Sequence, residues 1–500
     1  MTDITLSLKD KPGRKKMLSV SRGDEVLTRI SFDPFDLQEQ ADIVAKLRRF
    51  DPDRDWMTDL DSLNAGFGRN GASPELDTEA VAASLERDWP EDADPAAFHG
   101  PLGKAARILA AQSEADVHGI LLSLLITFAT CIGPGPYIKV GRQRHHLRLF
   151  GLLIGDTSIG RKGMAQAEAY AIYANALSQE RASGEEWVLP ERLKWSGMSS
   201  GEGVIWQVRD ATNKWIAKDN KLIIDDPGAE DKRVLFVEEE FGRQLEAMTR
   251  EKNILSPVIR NAWDTGTLHI ATKTPTVATD THIGIIGHIT SNELREKMRS
   301  SEIINGLGNR FLLQVVRRSG LLPFGGEVPD RVLDELGGEF LSAVRFAHGV
   351  DEIGLSDDAR GWWNVAYGDL SAEKPGLIGS FSARGPAQVR RIAACYAVAD
   401  HSRVTKPEHF QAAAALWERC LTSISYVWGD STGNLLADRF LKALRDSESM
   451  TGSELYDLAG DNASAPAVAR ALGVLQKADL AEVETTATGG RPLNTWRATR

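Results

Sequence analysis

Cysteine is scarce in this chain: three residues among 500, at positions 131, 395 and 420. The number is odd, the spacing is wide, and no histidine stands at ligand distance in sequence. Neither a disulfide framework nor a zinc site is expected, and a reducing compartment fits. An apolar run of membrane length is also missing. The longest, from Val117 to Ile132, holds His118 and several small polar residues. It falls short of the about 20 apolar residues that a span needs, and reads as a buried helix. The first twenty residues, MTDITLSLKDKPGRKKMLSV, mix charge and apolar groups throughout. They contain no apolar core of signal-peptide type, so a cytoplasmic location without a membrane partner is expected. Nor is positive charge in excess, because the formal net charge is −11. A protein that coats duplex DNA with its whole surface is usually basic. One basic channel or face is still compatible, because affinity follows local charge near phosphate. No internal repeat is apparent.

What is present is ordinary globular composition, 42% hydrophobic and 26% charged, in a length that accommodates about three domains. Residues 1–75 read as a small N-terminal unit without assignable chemistry, and residues 76–99 as an acidic, Pro-containing linker. From 100 to 350 helices alternate with nearly continuous apolar runs: LFGLLIG, VLFVEEE and HIGIIGHIT. Such runs suit central strands of a parallel sheet, buried on both faces. Residues 351–430 are helical, with Ala393, Ala394, Ala397 and Val398 on one face, and read as a lid. Residues 434–500 form a further module.

The stretch LLIGDTSIGRKGMAQAEAYAIYANA, from Leu152, takes a buried strand into a Gly-rich loop with a lysine and on into a long helix. Glycines let backbone N–H groups face phosphate, and the helix presents its positive end. The loop residues are Gly155, Asp156, Thr157, Ser158, Gly160, Arg161, Lys162 and Gly163. Gly155 and Gly160 have the spacing of a phosphate loop, but Arg161 stands where lysine is usual and Lys162 follows one place later. Lys162 is the preferred phosphate lysine, with Arg161 the other candidate. No Ser or Thr follows Lys162, so Thr157 or Ser158 is left to supply a Mg²⁺-binding hydroxyl.

Val234 to Val237 read as a strand ending in Glu238, Glu239 and Glu240. Phosphoryl transfer to water needs one carboxylate that holds Mg²⁺ through water and one that polarises the attacking water. Strand-end counting selects Glu238 and Glu239; the acid-acid-Phe pattern selects Glu239 and Glu240. Glu239 and Glu238 are the metal candidates. A third strand, Ile283 to Ile286, runs into His288, Thr290, Ser291 and Asn292. Asn292 is the choice for orienting water, with His288 next. Arg310 precedes a further apolar strand, and its planar fork suits charge developing on a terminal phosphate.

In this order, RVLFVEEEFGRQLEAM, IRNAWDTGTLHIATKTPTVATDTHIGIIGHIT and GLGNRFLL resemble the core of AAA+ ATPases of the minichromosome-maintenance helicase type. The chain is more similar still to bacterial, phage and plasmid proteins with a primase–helicase-like ATPase core, through the phosphate loop, WSGMSSGEG and SARGPAQVRRIA. The resemblance implies a three-layer α/β P-loop fold with a helical lid, ATP and Mg²⁺ as ligands, and a homo-oligomeric ring around DNA. It implies Lys273, in a hairpin over 268–279, as a DNA contact. It further implies Arg310 as the arginine finger, and Arg384, or failing that Arg390, as a phosphate-sensing lid residue. Glu202 lies in SSGEG without a stated role.

The C-terminal TGSELYDLAG, APAVARALGVLQKADL and AEVETTATGGRPLNTWRAT read as helix, helix and β-hairpin, the winged-helix plan. Val468, Leu472 and Leu475 give the second helix one apolar face. Arg470, Lys477 and Arg491 are its candidate DNA contacts. The expected function is an ATP-driven DNA helicase or translocase of a mobile element, with a replication or defence protein as a further partner. The alternatives are a nucleotide-gated assembly protein and a winged-helix regulator on a degenerate NTPase fold.

Overall fold

The computed structural model divides the chain into two compact units, Met1–Glu86 and Arg87–Arg500. In the first it describes three strands, β1 (Ile4–Asp10), β2 (Lys16–Arg22) and β3 (Glu25–Phe32), joined as an antiparallel sheet in that order. In the second it describes residues 89–156, 160–216, 221–270, 275–298, 302–303, 305–374, 376–429, 432, 434–459, 464–478, 480–486 and 493–499. Thr157, Ser158, Lys273 and Arg491 lie outside the described residues, as does most of the expected linker.

The second unit begins with helices α1 (Gly100–Ala111) and α2 (Val117–Ile132) and the hairpin β4 (Tyr137–Val140)–β5 (Gln143–His146). Strand β6 (Phe150–Ile154) leads into α3 (Lys162–Ser183), followed by β7 (Lys194–Trp195) and α4 (Gly201–Gln207). A second hairpin, β8 (Thr212–Ile216)–β9 (Lys221–Asp226), precedes β10 (Arg233–Glu238), α5 (Phe241–Met248) and α6 (Leu255–Asp264). A third, β11 (Leu268–Ile270)–β12 (Thr276–Ala278), precedes β13 (His282–Ile289), α7 (Ser291–Lys297) and β14 (Phe311–Val315). Helices α8 (Asp330–His348), α9 (Asp357–Ser371), α10 (Gly376–Ser382), α11 (Gly385–Ala399) and α12 (Pro407–Trp428) follow, with short β15 (Gly354–Leu355) and β16 (Val404–Thr405) between them.

The central sheet is parallel and five-stranded, in the order β14-β6-β13-β10-β7. Every residue of β6, β13 and β14 is buried, which is why their sequences are continuous apolar runs rather than alternations. Residues of α2 from His118 to Ile132 are all buried, so the long apolar run is an internal helix. Among the described residues no helix is long and apolar enough to cross a membrane. The sheet has helices on both faces. A Cβ on Gly284 would meet Thr130 of α2 at 2.1 Å, and one on Gly287 would meet Phe241 of α5 at 2.6 Å. Residues 284 and 287 point to opposite faces of one strand, so these glycines admit α2 on one side and α5 on the other.

Packing adds to the boundaries expected from sequence. The helices from 351 to 428, read as a lid, share their apolar core with the sheet. Ala393, Ala394, Ala397 and Val398 are fully buried, and the residues around them belong to one apolar cluster continuous with the sheet. The core also starts before residue 100. Ala97 is fully buried, Trp89 stacks edge-on with Tyr426 at 5.1 Å, and Ala93 N–H donates to His118 Nε2 at 3.1 Å. The end of the chain has its own core. There α13 (Leu435–Asp446), β17 (Met450–Thr451), α14 (Gly452–Ala459), α15 (Ala465–Lys477), β18 (Ala481–Thr486) and β19 (Leu493–Ala498) follow one another, with sheet order β17-β19-β18. Phe440, Leu444, Leu455, Val468, Leu472, Leu475 and Trp496 pack together in this module. The apolar face expected on its last helix is thus buried.

Candidate functional site

In an open parallel sheet, ligand clefts form at the carboxyl ends of the strands. At that end a cleft of about 790 Å³ is lined by Asp156, Arg161, Lys162, Gly163, Glu239, Glu240, His288, Thr290 and Glu293, with Arg243, Glu246 and Lys297 at its side. The Gly-rich loop and the acids, about 80 residues apart in sequence, therefore share one cavity. Strand order explains it: β13 lies between β6, which feeds the loop, and β10, which feeds the acids. Register sets His288 beside Leu153 on one neighbour, while Gly287 pairs with Glu238 on the other.

The loop is tightly folded. Gly155 N–H donates to Ile289 O at 3.1 Å, tying the loop to β13, and Gly160 N–H donates to Asp156 O at 3.1 Å. A Cβ at Gly155 would come within 2.6 Å of Val316 O, so only glycine fits there. Arg161 caps α3 in the left-handed region at φ 46°. Lys162 and Gly163 then begin the helix, where backbone N–H groups lack intrahelical acceptors. The two basic candidates separate here. Arg161 Nε donates to Glu114 Oε2 at 2.8 Å, and Arg318 joins the same carboxylate at 3.3 Å. Lys162 folds over the loop, donating to Gly155 O and to Asp156 O, the latter at 3.4 Å. Burial pulls its amine below the usual lysine value, against the opposing charges of Asp156 and Glu293. Lys162 is thus the cation on the loop's own carbonyls.

The three acids also separate. Glu238 does not line the loop cleft. Its oxygens accept from Met198 N–H at 2.7 Å and from Gln244 Nε2 at 2.8 Å, and burial raises its carboxyl above the usual range. It fastens the loop after β7 to the end of β10, which corrects its expected place as a metal ligand. Glu239 and Glu240 line the cleft, and Glu240 also pairs with Arg243 at 2.5 Å. Phe241 turns inward against Phe311 at 5.5 Å.

At the end of β13 the preference between the polar residues reverses. Asn292 is exposed on α7, accepts from Arg295, and is not part of the cleft lining. His288 lines the cleft, is 3% exposed, and its Nε2 is buried without a partner. Burial, then Lys162 and Lys194, lowers its pKa to about 4, so the ring is neutral at pH 7. Thr290 caps α7 by accepting from Glu293 N–H at 3.2 Å and presents the described hydroxyl of the cleft lining.

Arg310 and Arg384 are not in this cleft. At the opposite end of the sheet Arg310 donates to Asp264 at 2.6 Å and Arg384 forms an ion pair with the same carboxylate at 3.1 Å, and Arg310 is buried. Arg390 lies over the Trp363 ring at 4.3 Å. Glu202 is exposed in the first turn of α4. Arg470 and Lys477 lie exposed on α15.

The hairpin expected around 268–279 is present at its base as β11–β12. Hairpin β8–β9 was not anticipated. It exposes Trp215, Leu222 and Ile224, and Trp215 pairs with Leu222 across the ribbon. Its sequence signal was the alternation on either side of Asp219-Asn220. Asp210 joins the bases of both hairpins. Its N–H donates to Val277 O at 2.8 Å, and its carboxylate accepts from Thr279 N–H at 3.0 Å and from Lys232.

A metal-like cluster lies elsewhere: ligand atoms of His99, Asp400 and His409 fall within 4.8 Å of one another. His409 Nδ1 accepts from Lys406 N–H at 3.0 Å. In the neutral ring the proton therefore sits on Nε2, directed at Asp400 at 3.3 Å. A metal-bound imidazole needs the reverse arrangement. The cluster is a carboxylate between two imidazoles, not a metal centre. The three cysteines are free and buried, which agrees with the absence of disulfides expected from sequence.

Neither a family model nor a curated protein matches this chain.

Proposed function

We propose that the chain is an AAA+-type P-loop ATPase that acts on DNA as a motor, turning over ATP while it engages a strand. The observation that carries this is the cleft in which Lys162, Glu239, Glu240 and His288 meet at the carboxyl ends of β6, β10 and β13. Lys162 and the first N–H groups of α3 neutralise phosphate oxygens. Glu239 takes a proton from the attacking water, and neutral His288 orients that water through Nε2. The donor set also fits Mg²⁺, which Glu239 and Glu240 would hold through water and which would supply further charge on the phosphate oxygens.

Hairpins β8–β9 and β11–β12, joined at Asp210, supply the element that meets DNA. Trp215 offers a stacking face and Lys214 and Lys221 offer charge. The C-terminal order of helix, short strand, two helices and hairpin supports a winged-helix module, with Arg470 and Lys477 placed for backbone phosphates. The assembly in this proposal is a homo-oligomeric ring, served by a replication or defence partner.

The test is ATP turnover with and without single-stranded DNA, for wild type and Lys162→Ala. DNA-stimulated turnover in the wild type is expected. Loss of the charged contact is expected to weaken nucleotide binding about 10- to 100-fold. A wild-type chain with no affinity for nucleotide sinks the proposal. One observation favours a second function, a nucleotide-gated assembly protein: Gly163 and Met164 follow Lys162, so no hydroxyl stands next to the phosphate lysine. ATP-dependent oligomers without turnover identify that case.

A further inference from the structure

The turn that starts α3 departs from an ordinary helix start. Helices α2, α4, α7 and α9 begin at extended caps, Asp116, Ser200, Thr290 and Ser356, whose side-chain oxygens accept from the helix. The 22-residue α3 begins at Arg161, which is left-handed at φ 46° and ψ 30° and makes no side-chain cap. That conformation suits glycine and strains other residues. The usual phosphate-loop pattern has glycine directly before its lysine, and here arginine stands in that place. The turn nevertheless sets the start of the helix. Arg161 O accepts from Met164 N–H at 3.1 Å and from Ala165 N–H at 3.2 Å, which leaves the N–H groups of Lys162 and Gly163 for a ligand.

A carboxylate from another part of the chain holds this turn. Glu114, on the connection between α1 and α2, is 8% exposed. Its Oε2 accepts from Arg161 Nε at 2.8 Å, and Arg318 Nε lies 3.3 Å from the same oxygen. Its Oε1 accepts from Leu322 N–H at 2.9 Å, and its backbone carbonyl accepts from Ser319 N–H at 3.0 Å. Ser319 Oγ also donates to Ser113 O at 3.2 Å. The segment after β14 thus fixes both the backbone and one carboxylate oxygen of Glu114, and the other oxygen meets Arg161. A charge-assisted bond to an immobile acceptor restrains the arginine side chain, and with it the backbone from which that side chain leaves. Lys162 comes next in the chain and lies over the loop carbonyls of Gly155 and Asp156.

We propose that Glu114 is a positioning residue of the cleft: by gripping the Arg161 guanidinium it keeps residue 161 in a left-handed turn at the place where the usual loop has glycine, and so keeps Lys162 and the first N–H groups of α3 aimed at phosphate. This rests on the nucleotide-cleft function proposed above. Glu114 touches no phosphate. It acts through Arg161, whose guanidinium is a handle for the turn rather than a phosphate ligand.

Calorimetric binding of Mg²⁺-ATP, with steady-state turnover beside it, tests the assignment. Glu114→Gln keeps an oxygen for Leu322 N–H and loses the charge that holds Arg161. It is expected to weaken ATP binding about tenfold, the cost of a left-handed residue left unsupported, with KM rising and kcat within about twofold of wild type. Arg161→Ala leaves Glu114 nothing to grip and should weaken ATP binding by a similar factor. Arg161→Gly needs no support and should bind ATP about tenfold tighter than Arg161→Ala. In the Arg161→Gly chain, adding Glu114→Gln should change the affinity by less than about twofold. Thermal melts of every variant accompany the assay. If Glu114→Gln is unfolded at the assay temperature, the comparison of Arg161→Ala with Arg161→Gly decides, and equal affinities overturn the inference. Tighter ATP binding by Glu114→Gln overturns it, because Glu114 then withholds a phosphate cation. An equal loss from Glu114→Gln in both backgrounds overturns it too, because the effect then runs through the segment after β14. So does unchanged affinity in a folded Glu114→Gln chain. A wild-type chain that binds no ATP is a failure of the cleft function, distinguishable from all of these.

Discussion

Glu238→Gln and Glu239→Gln are expected to part company: the first changes folding chemistry, the second turnover. Glu238 is 5% exposed, and its two oxygens accept from Met198 N–H and Gln244 Nε2. Gln244 Oε1 is buried without a donor. In Glu238→Gln the new Oε1 keeps the Met198 N–H. With the Gln244 amide turned over, the new Nε2 donates to Gln244 Oε1. The number of hydrogen bonds is conserved and one buried charge is removed, so the change in unfolding free energy should stay within about 1 kcal/mol. Glu238→Ala strands both donors instead. Each buried orphan costs about 1–3 kcal/mol, for a total of about 2–6 kcal/mol. The pH sign follows from the raised carboxyl. The folded state holds this proton more tightly than the unfolded state. Its contribution is full below the usual 4.5 and is lost as pH rises through the raised value. Glu238→Gln removes that loss, so its stability relative to wild type should improve between pH 4.5 and 7. Glu239 is exposed in the cleft. Its Gln variant should unfold within about 0.5 kcal/mol of wild type and turn over ATP about 100-fold or more slowly. Urea unfolding at pH 5 and pH 7.5, read beside steady-state ATP turnover, measures both. A Glu238→Gln chain as inactive as Glu239→Gln, with unfolding unchanged at both pH values, would refute the division of roles.

His288→Leu should slow turnover about tenfold or more while leaving the fold intact, since Nε2 has no partner to lose. The wild-type ring prefers neutrality, with a pKa near 4, so its contribution is lost as pH falls from 6.5 toward 4; the variant should soften that acid loss in a pH series of melts. At His99 the sign is opposite. The Asp400 hydrogen bond raises His99, so the contact is fully present below 6.5 and is lost as pH rises through the raised value. Asp400→Asn should flatten that slope, and Zn²⁺ should leave the wild-type Tm unmoved; a zinc-dependent rise contradicts the tautomer assigned to His409. Residues 434–500 hold a separate core and should fold cooperatively when expressed alone, with ATP binding retained by the chain ending at 429; a non-cooperative melt of the fragment refutes this. Cys131, Cys395 and Cys420 are buried, and burial raises each thiol, so a thiol reagent should label them only at the rate of unfolding.

Local patterns foretold the elements well and their pairings poorly. FGLLI, RVLFVE and HIGIIGHI are legible as buried strands because a parallel strand covered on both faces needs no polar alternation. Their order is not legible, because no residue within β6 names β13 as its neighbour. That order is what brings loop and acids together. The module from 434 was legible through Val468, Leu472 and Leu475. Its first helix was not, because the pattern taken for the whole fold began at 451. That the helices read as a lid share a core with the sheet was not legible for a related reason: an Ala-rich helix face is equally suited to a partner helix inside one continuous core.

The site shows why residue type alone cannot assign a role. Three consecutive glutamates have the same chemistry, yet the turn after β10 divides them. Glu238 stays in the strand and meets Met198 and Gln244, while Glu239 and Glu240 leave the ladder and face the cleft. The division depends on a loop some 40 residues earlier, whose amide at 198 is the partner that captures the first acid. The same logic separates Arg161 from Lys162, adjacent cations of which one is claimed by Glu114 from a different helix connection. It also separates His288 from Asn292, of which one lies within buried β13 and the other is exposed in the first turn of α7. For the glutamates and for Arg161 a long-range partner, and for His288 and Asn292 the place in strand or helix, determines which group remains available to a ligand. A group already satisfied by the fold has less to offer phosphate, metal or water, and the members of these sets that keep their reach, Lys162, Glu239, Glu240 and His288, line one cavity.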